Sequence, residues 1–215
     1  MEKKNRNKDK NKIFSGKNLI VWFFIITMTF SIGGFLFSGD DTSQSANYNG
    51  YNLYRQNNLW NTKINGKIYP FTYTPNELEA ITIDGDVKNM ILEKNNIILT
   101  FNPDVSDLRN IDLARFETTE DFEKFFAIYV TEGITNKSKN YNFPILTCEN
   151  ATDSEPVIFM NPIELTIEDL QSENTSQLQN PKIYIKGNCI VMEGESSTFV
   201  EMRDRIIYSM IGVMK

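Results

Sequence analysis

The 215-residue chain contains no histidine and only two cysteines. The absence of histidine excludes the Ser-His-Asp triad, the Cys-His pair, the HExxH zinc site and every histidine proton shuttle. Two cysteines are too few for a zinc site built from cysteine alone. The phosphate-binding patterns GxxxxGK[ST] and GxGxxG do not occur either. The commonest enzyme chemistries therefore lack their residues in this sequence.

Positive charge is also scarce, because 22 Lys and Arg face 28 Asp and Glu, for a formal net charge of −6. Proteins that bind nucleic acid usually present a basic surface, so we expect no nucleic-acid partner. The charge is distributed unevenly along the chain. Residues 1–17 hold seven Lys and Arg against two acidic residues, whereas the other 198 residues hold 15 against 26.

A stretch without any charged residue, 18–37, follows this basic tail. From Leu19 to Phe37 a helix would be about 28 Å long, close to the hydrocarbon thickness of a bilayer. We therefore predict a transmembrane helix over 18–37 that contacts membrane lipid. Lys and Arg are retained in the cytoplasm, so the tail 1–17 is predicted inside and the rest of the chain outside the cell membrane.

Other interpretations of 18–37 are a buried core helix, a cleaved secretory signal and a pilin-like segment cut after Gly16. An unbroken apolar run after a basic tail argues against a core helix. The run is longer than the apolar part of a signal peptide, and 35–41 offers no small-residue cleavage site. Val21 stands where a pilin would have glutamate. Because no cysteine follows the run, lipoprotein processing is excluded, and an uncleaved anchor fits best.

Residues 38–50 are small and polar, which predicts a flexible stalk, and 51–215 is long enough for a single domain. Its first part contains strand patterns at 51–55 and 59–64, and Asn65-Gly66 predicts a hairpin with a type I′ turn. Aromatic residues cluster there, and we expect them to pack across the hairpins, with a ligand-stacking surface as the alternative. They are Tyr51, Tyr54, Trp60, Tyr69, Phe71 and Tyr73.

Continuous apolar runs at 97–101, 156–160 and 189–192 are typical of buried strands. Helical patterns occur between 108 and 126 and over 198–211, where one apolar stripe is expected to dock on a sheet. The sequence therefore predicts an α/β fold in which an N-terminal β-meander is followed by a mixed sheet packed by helices. An α+β fold is the alternative, because no helix is evident between the strands at 157–160 and 182–193.

Both cysteines, Cys148 and Cys189, lie outside the membrane in this topology, where disulfides persist. A disulfide between them would close a loop of about 40 residues. Two free buried thiols are a second possibility, because Cys189 lies in an apolar strand. A nucleophilic thiol is a third, although no histidine is present to activate it.

Three N-x-[ST] sequons, at Asn136, Asn150 and Asn174, permit N-glycosylation in a host that has the machinery. We predict no catalytic, cofactor-binding or metal-binding residue. Without histidine, catalysis would require paired carboxylates. Five acidic residues are candidates for such pairs, although neighbouring acids are also typical of a solvated surface: Asp84, Asp86, Asp104, Asp107 and Glu149.

On the last helix, Asp204 and Arg205 are expected to form a buried or half-buried ion pair with a neighbouring residue, and a functional arginine is the alternative. The place to look for a pocket is around Cys148, Glu149 and Arg205.

Several short segments of the outer region resemble those of a group of uncharacterised single-pass membrane proteins of archaea. They are TCENAT (147–152), PVI (156–158), NCI (188–190), DRIIY (204–208) and GVM (212–214). The resemblance covers the anchor and most of the outer domain, and 169–180 looks like an insertion relative to that pattern. It implies a membrane location and paired cysteines, and it implies no activity.

The leading hypothesis is a membrane-anchored extracytoplasmic domain that binds or scaffolds another component of the cell envelope, such as an envelope protein. An anchored hydrolase that uses paired carboxylates, with or without a divalent metal, is the alternative. A substrate-binding domain that uses the aromatic meander is a third possibility.

Overall fold

The computed structural model describes residues 20–29, 44–163 and 180–215. Residues 20–29 form a helix, α1, and the contacts along the chain divide it between residues 42 and 43. Within the described ranges, no helix combines the length and the apolar character that a membrane crossing requires. The predicted transmembrane range 18–37 lies only partly inside the described residues.

The unit of residues 43–215 begins with a four-stranded antiparallel sheet. Its strands follow each other in chain order: β1 Ser45–Tyr48, β2 Tyr51–Gln56, β3 Leu59–Ile64 and β4 Lys67–Phe71. The predicted Asn-Gly turn is confirmed, with φ of 50° at Asn65 and 82° at Gly66, which glycine and asparagine tolerate best. Strand β1 lies inside the range 38–50 predicted as stalk, so that prediction is wrong for Ser45–Tyr48.

The second sheet has six strands: β5 Thr82–Ile83, β6 Asn96–Phe101, β7 Tyr129–Ile134, β8 Val157–Pro162, β9 Lys182–Lys186 and β10 Cys189–Gly194. Their order is β5-β9-β10-β8-β6-β7. Strands β10, β8, β6 and β7 are parallel, whereas β9 runs antiparallel to β10 and β5 runs parallel to β9. The mixed sheet after a β-meander confirms the predicted α/β architecture.

Within residues 44–163 and 180–215, the helices of this domain are α2 Val87–Leu92, α3 Leu108–Asp121 and α4 Phe199–Met210. Helix α3 continues into a π-turn at Phe122–Phe126, and 3₁₀ turns occupy Pro75–Leu78, Cys148–Asn150 and Ser196–Thr198. The predicted helix over 198–211 is confirmed with slightly shorter bounds.

Helix α4 is buried on nearly all sides, whereas the sequence predicted a single apolar stripe. One reason is that the end of the four-stranded sheet also packs on α4. Phe71 of β4 stacks on Tyr208 with ring centroids 3.7 Å apart, and the Tyr208 hydroxyl donates a hydrogen bond to the carbonyl of Tyr73 (3.0 Å). Both residues thereby join the main core.

The six-stranded sheet has two faces of different construction. On one, the helical face, side chains such as Leu99, Met160 and Met192 share a core with helices α2, α3 and α4. On the other, the loop face, Ile98, Val157, Cys189 and Val191 form a separate apolar cluster. Parts of the segment 146–151 cover that cluster.

The aromatic residues of the meander pack as expected. Tyr69 and Phe71 are buried, and three more, Tyr51, Trp60 and Tyr73, lie half-buried against the main core. Packing, rather than a stacking surface for a ligand, therefore accounts for these five.

Candidate functional site

The covering segment is fixed to the loop face by a few specific contacts at Leu146. The Thr100 hydroxyl of β6 donates a hydrogen bond to the Leu146 carbonyl (2.7 Å), and the Leu146 amide donates to Ile134 (2.9 Å). Gly133 of β7 allows this approach, because a Cβ at that position would lie 2.8 Å from the Leu146 Cβ. A side chain at residue 133 would therefore push the segment away from the sheet.

The residues that precede the segment 146–151 are held by aromatic and charged side chains. The Tyr141 hydroxyl donates a hydrogen bond to Asp112 of α3 (2.7 Å). The Arg115 guanidinium lies 5.1 Å from the centre of the Phe143 ring and pairs with Glu132 of β7. Burial and the bond to Asp112 raise the pKa of Tyr141 to about 12, so it stays protonated. These contacts connect the segment to α3 and to the edge strand.

The last attachment is covalent. Cys148 and Cys189 form a disulfide, with their Cα atoms 5.3 Å apart and a separation of 41 positions in the sequence. The predicted pairing is confirmed, and because neither cysteine is free, the two alternatives for them are wrong. The bond joins the first residue of β10 to the 3₁₀ turn Cys148–Asn150, which begins where the Glu149 amide donates to the Thr147 hydroxyl (3.2 Å).

Beside this disulfide, the loop face contains a cavity of about 530 Å³, here called the cystine cavity. Its volume lies in the usual range for small-ligand pockets, about 300–1,000 Å³. It is lined by Thr135, Thr147, Cys148, Glu149, Phe159, Asn161, Tyr184, Lys186 and Val191.

The register of the sheet explains how these residues meet. Phe159 of β8, Val191 of β10 and Tyr184 of β9 are neighbours in one row across three strands, and they form the apolar floor. Lys186 is the register partner of Cys189 in the adjacent row. On the other side of the floor lies the row that contains Asn161. The cavity thus has an apolar floor between polar rows.

In the row that contains Asn161, the charged side chains of Glu193 and Lys182 pair with each other. Glu193 of β10 forms an ion pair with Lys182 (2.5 Å) and accepts hydrogen bonds from Tyr184 (3.0 Å) and Asn161 (3.3 Å). Burial raises the pKa of Glu193, but the bonds from Lys182, Tyr184 and Asn161 outweigh burial and leave that pKa below its ordinary value. This cluster fixes the ring of Tyr184 at the floor of the cavity.

A buried ionic network lies away from the cavity, between α3 and α4. Arg203 pairs with Asp204 and Asp121, and Asp204 also accepts the backbone amides of Thr72 (2.8 Å) and Tyr73 (2.9 Å). Burial raises the pKa of Asp121 to about 6 and that of Asp204 to about 6, although Arg203 opposes both shifts. The network fastens the end of β4 to the central helix.

The predicted buried ion pair with a neighbour is confirmed for Asp204, which pairs with Arg203. The guanidinium of Arg205 donates to the backbone carbonyls of Ile81 (3.4 Å) and Lys215. Arg205 is absent from the lining of the cystine cavity, whereas Cys148 and Glu149 are part of it.

The candidate carboxylates are exposed, and three of them accept hydrogen bonds from other residues of the chain. Asp84 accepts the amide of Asp86 (3.2 Å), Asp107 accepts the side chain of Asn110 (2.9 Å), and Asp104 accepts that of Asn136. Across residues 20–29, 44–163 and 180–215, no group of three Asp, Glu or Cys side chains is arranged to hold a metal ion.

The sequons differ in their surroundings. Asn150 is exposed and its side-chain oxygen accepts the Thr147 amide (2.8 Å), while Asn136 is half-buried. Asn174 lies outside the described residues.

The residues of the cavity that sequence reasoning missed are Phe159, Asn161, Tyr184 and Lys186. They occupy ordinary positions in strands, and only the register of β8, β10 and β9 brings them together. The apolar run at 156–160 and the cysteine at 189 were the available indications that these strands are neighbours.

Comparisons of the chain with family models, with curated proteins and with solved structures find no match. The resemblance to archaeal membrane proteins is not tested by them and stays a prediction.

Proposed function

We propose that this protein is a membrane-anchored extracytoplasmic binding domain whose ligand or envelope partner occupies the cystine cavity. The observation that carries the proposal is the construction of the loop face. A disulfide and a few hydrogen bonds hold a covering segment over part of that face and leave an apolar floor open beside polar side chains. An apolar cavity with a few polar groups at its rim is the usual form of a binding site.

The location outside the cytoplasm rests on two independent features. The disulfide Cys148–Cys189 supports it, because such bonds persist in oxidising compartments and are rare in the cytosol. The basic tail 1–17 before the uncharged stretch 18–37 supports the orientation, because Lys and Arg are retained on the cytoplasmic side. In this topology, 18–37 spans the membrane and the domain faces outward.

The charge of the outer region limits the partner. Residues 18–215 hold 15 Lys and Arg against 26 Asp and Glu, so a partner with a basic surface would associate faster than an acidic one. The hydrogen bonds of the exposed carboxylates Asp84, Asp104 and Asp107 do not favour the hydrolase alternative.

The orientation can be tested by synthesis of the full chain in the presence of microsomes. We expect the domain to enter the lumen, where it is protected from added protease and where the exposed Asn150 can be glycosylated. An Asn150→Gln variant is the control for modification at that sequon. Digestion of the domain by protease added outside sealed microsomes would contradict the proposed topology.

Binding at the cavity can be tested by photo-crosslinking in cells. A benzoylphenylalanine placed at Lys186, on the cavity rim, should give a defined adduct that mass spectrometry identifies as a protein or a small molecule. The matched control is the same replacement at Lys63, an exposed strand residue of the four-stranded sheet. No adduct at Lys186, or the same adducts from both positions, would overturn the proposed binding site.

A further inference from the structure

Two opposite charges of the cystine cavity have no partner in the described part of the chain. There, the ammonium of Lys186 and the carboxylate of Glu149 form no ion pair and no side-chain hydrogen bond. Two rows away on the same face, Lys182 and Glu193 pair at 2.5 Å. The cavity therefore presents one positive and one negative group that a ligand could satisfy.

The disulfide keeps the backbone positions that carry these charges close together. Lys186 is the register partner of Cys189, which is bonded to Cys148, the neighbour of Glu149. These three short steps, of which the cystine step is 5.3 Å, place the Cα atoms of Lys186 and Glu149 at most about 15 Å apart. An extended peptide gains about 3.3–3.6 Å per residue, so two to four residues match this span.

Between the charges, the floor of Phe159, Val191 and Tyr184 accepts an apolar group. The rim adds hydrogen-bonding groups at Thr135 and Asn161, and amide groups are suitable partners for both. The ligand that these features describe has an amino group, a carboxylate, amides and an apolar side chain within a short length.

We infer that the cystine cavity binds a short zwitterionic peptide of two to four residues with an apolar side chain. Its free carboxylate pairs with Lys186, its free amino group pairs with Glu149, and its apolar side chain rests on Phe159 and Val191. This inference depends on the proposed binding function and names the ligand class for the same cavity.

The test is calorimetric titration of the full chain in lipid nanodiscs with the tripeptide Ala-Phe-Ala. We expect binding of the peptide with free ends in the millimolar range or tighter, and weaker binding after N-acetylation or C-amidation. Because the charges are exposed, each cap should weaken binding by about two- to fivefold.

Two variants assign the two ends separately. Lys186→Gln should abolish the difference between the free and the amidated carboxyl end while it keeps the effect of N-acetylation. Glu149→Gln should do the reverse, and Lys63→Gln should keep both effects. This design isolates each pairwise interaction as a double-mutant cycle does.

Equal binding of capped and free peptides, or an effect of amidation that survives in Lys186→Gln, would overturn the inference. So would the absence of binding of the free tripeptide at millimolar concentration. If that absence is accompanied by a defined photo-adduct at Lys186, the proposed function stands and the peptide class is wrong. If neither is observed, both are wrong.

Discussion

The two faces of the six-stranded sheet are covered by different means. On the helical face, Leu99, Met160 and Met192 are at most 1% exposed and pack in the core that includes α3 and α4. On the loop face, one disulfide and a few hydrogen bonds fix a segment without long helices. A face closed by broad apolar packing has no space for a ligand, whereas a face closed at a few points keeps a cavity.

Charged groups differ in the same way. On the helical side, Arg203, Asp121 and Asp204 are buried and pair with each other, so they stabilise the fold. On the loop side, Lys186 and Glu149 are exposed and form no ion pair in the described part of the chain. The contrast indicates that one side of the domain maintains the fold and the other is available for recognition.

The largest expected effect comes from breaking the helical side at Asp204, which is 0% exposed. Asp204→Ala removes the acceptor of the Thr72 and Tyr73 amides and leaves Arg203 with one carboxylate fewer. Because breaking a buried ion pair leaves a charge without compensation, we expect a loss of about 3–5 kcal/mol in the free energy of unfolding. Urea denaturation of the full chain in detergent measures this loss.

The control for Asp204 is Asp153→Ala, because the Asp153 side chain is 97% exposed and lies 4.0 Å from Lys94. It should change stability by no more than about 0.5 kcal/mol. Similar losses in the two variants would show that the buried network contributes no more to stability than an exposed ion pair.

The loop face should respond next most strongly, to removal of its disulfide. Replacement of both Cys148 and Cys189 by alanine releases a loop closed over 41 positions, at an expected cost of about 2–4 kcal/mol. Hydrogen exchange should increase in the covering segment around Leu146 more than in helix α4. Uniform loss of protection would contradict the separation of the two faces.

The pH dependence of the free energy of unfolding tests the buried carboxyl group of Asp121 on the helical side. Burial raises the pKa of Asp121 to about 6, above the value of about 3.9 in an unfolded chain. Between about pH 4 and pH 6 the folded state therefore holds protons that the unfolded state has released, so the free energy of unfolding falls as the pH rises.

The measurement for this effect is the pH dependence of unfolding in wild type and in Asp121→Asn. The variant lacks one of the two carboxyl groups whose pKa burial raises to about 6, so its stability should fall less between pH 4 and pH 7, by at most roughly 3 kcal/mol. Parallel pH profiles would contradict the shifted pKa of Asp121.

The smallest effect is expected where the covering segment meets the edge strand. Gly133→Ala places a Cβ 2.8 Å from that of Leu146, and such overpacking costs about 1–3 kcal/mol. Gly85→Ala is the matched control, because a Cβ at that turn meets nothing within 4 Å. Equal stability of the two variants would show that the segment around Leu146 makes room for the Cβ without a loss of stability.

Much of the secondary structure could be predicted from local patterns. The turn at Asn65-Gly66 followed from the positive φ that these two residues tolerate, and the apolar runs marked β6, β8 and β10. The strand Ser45–Tyr48 was missed, because its four residues contain no large aliphatic side chain and its order comes from pairing with β2.

The site was predictable only in part. Cys148 and Glu149 were singled out, but Arg205 was assigned to the wrong surroundings because a helix position does not reveal which neighbour covers it. Buried on α4, Arg205 reaches the Ile81 carbonyl rather than the cavity. Phe159 and Lys186 were missed since they are distant in sequence and meet only through strand register.

By itself, the sequence determined the absence of histidine chemistry, the division of charge between tail and outer region, and the turns whose φ angles depend on one or two residues. The tertiary structure decided which face of the sheet receives helices and which receives the covering segment. It also decided that Asp204 pairs with Arg203 and that Phe159, Val191 and Tyr184 form one floor. The physical reason is that charge, composition and turn conformation are local properties, whereas burial and strand register arise from contacts between residues far apart in the chain.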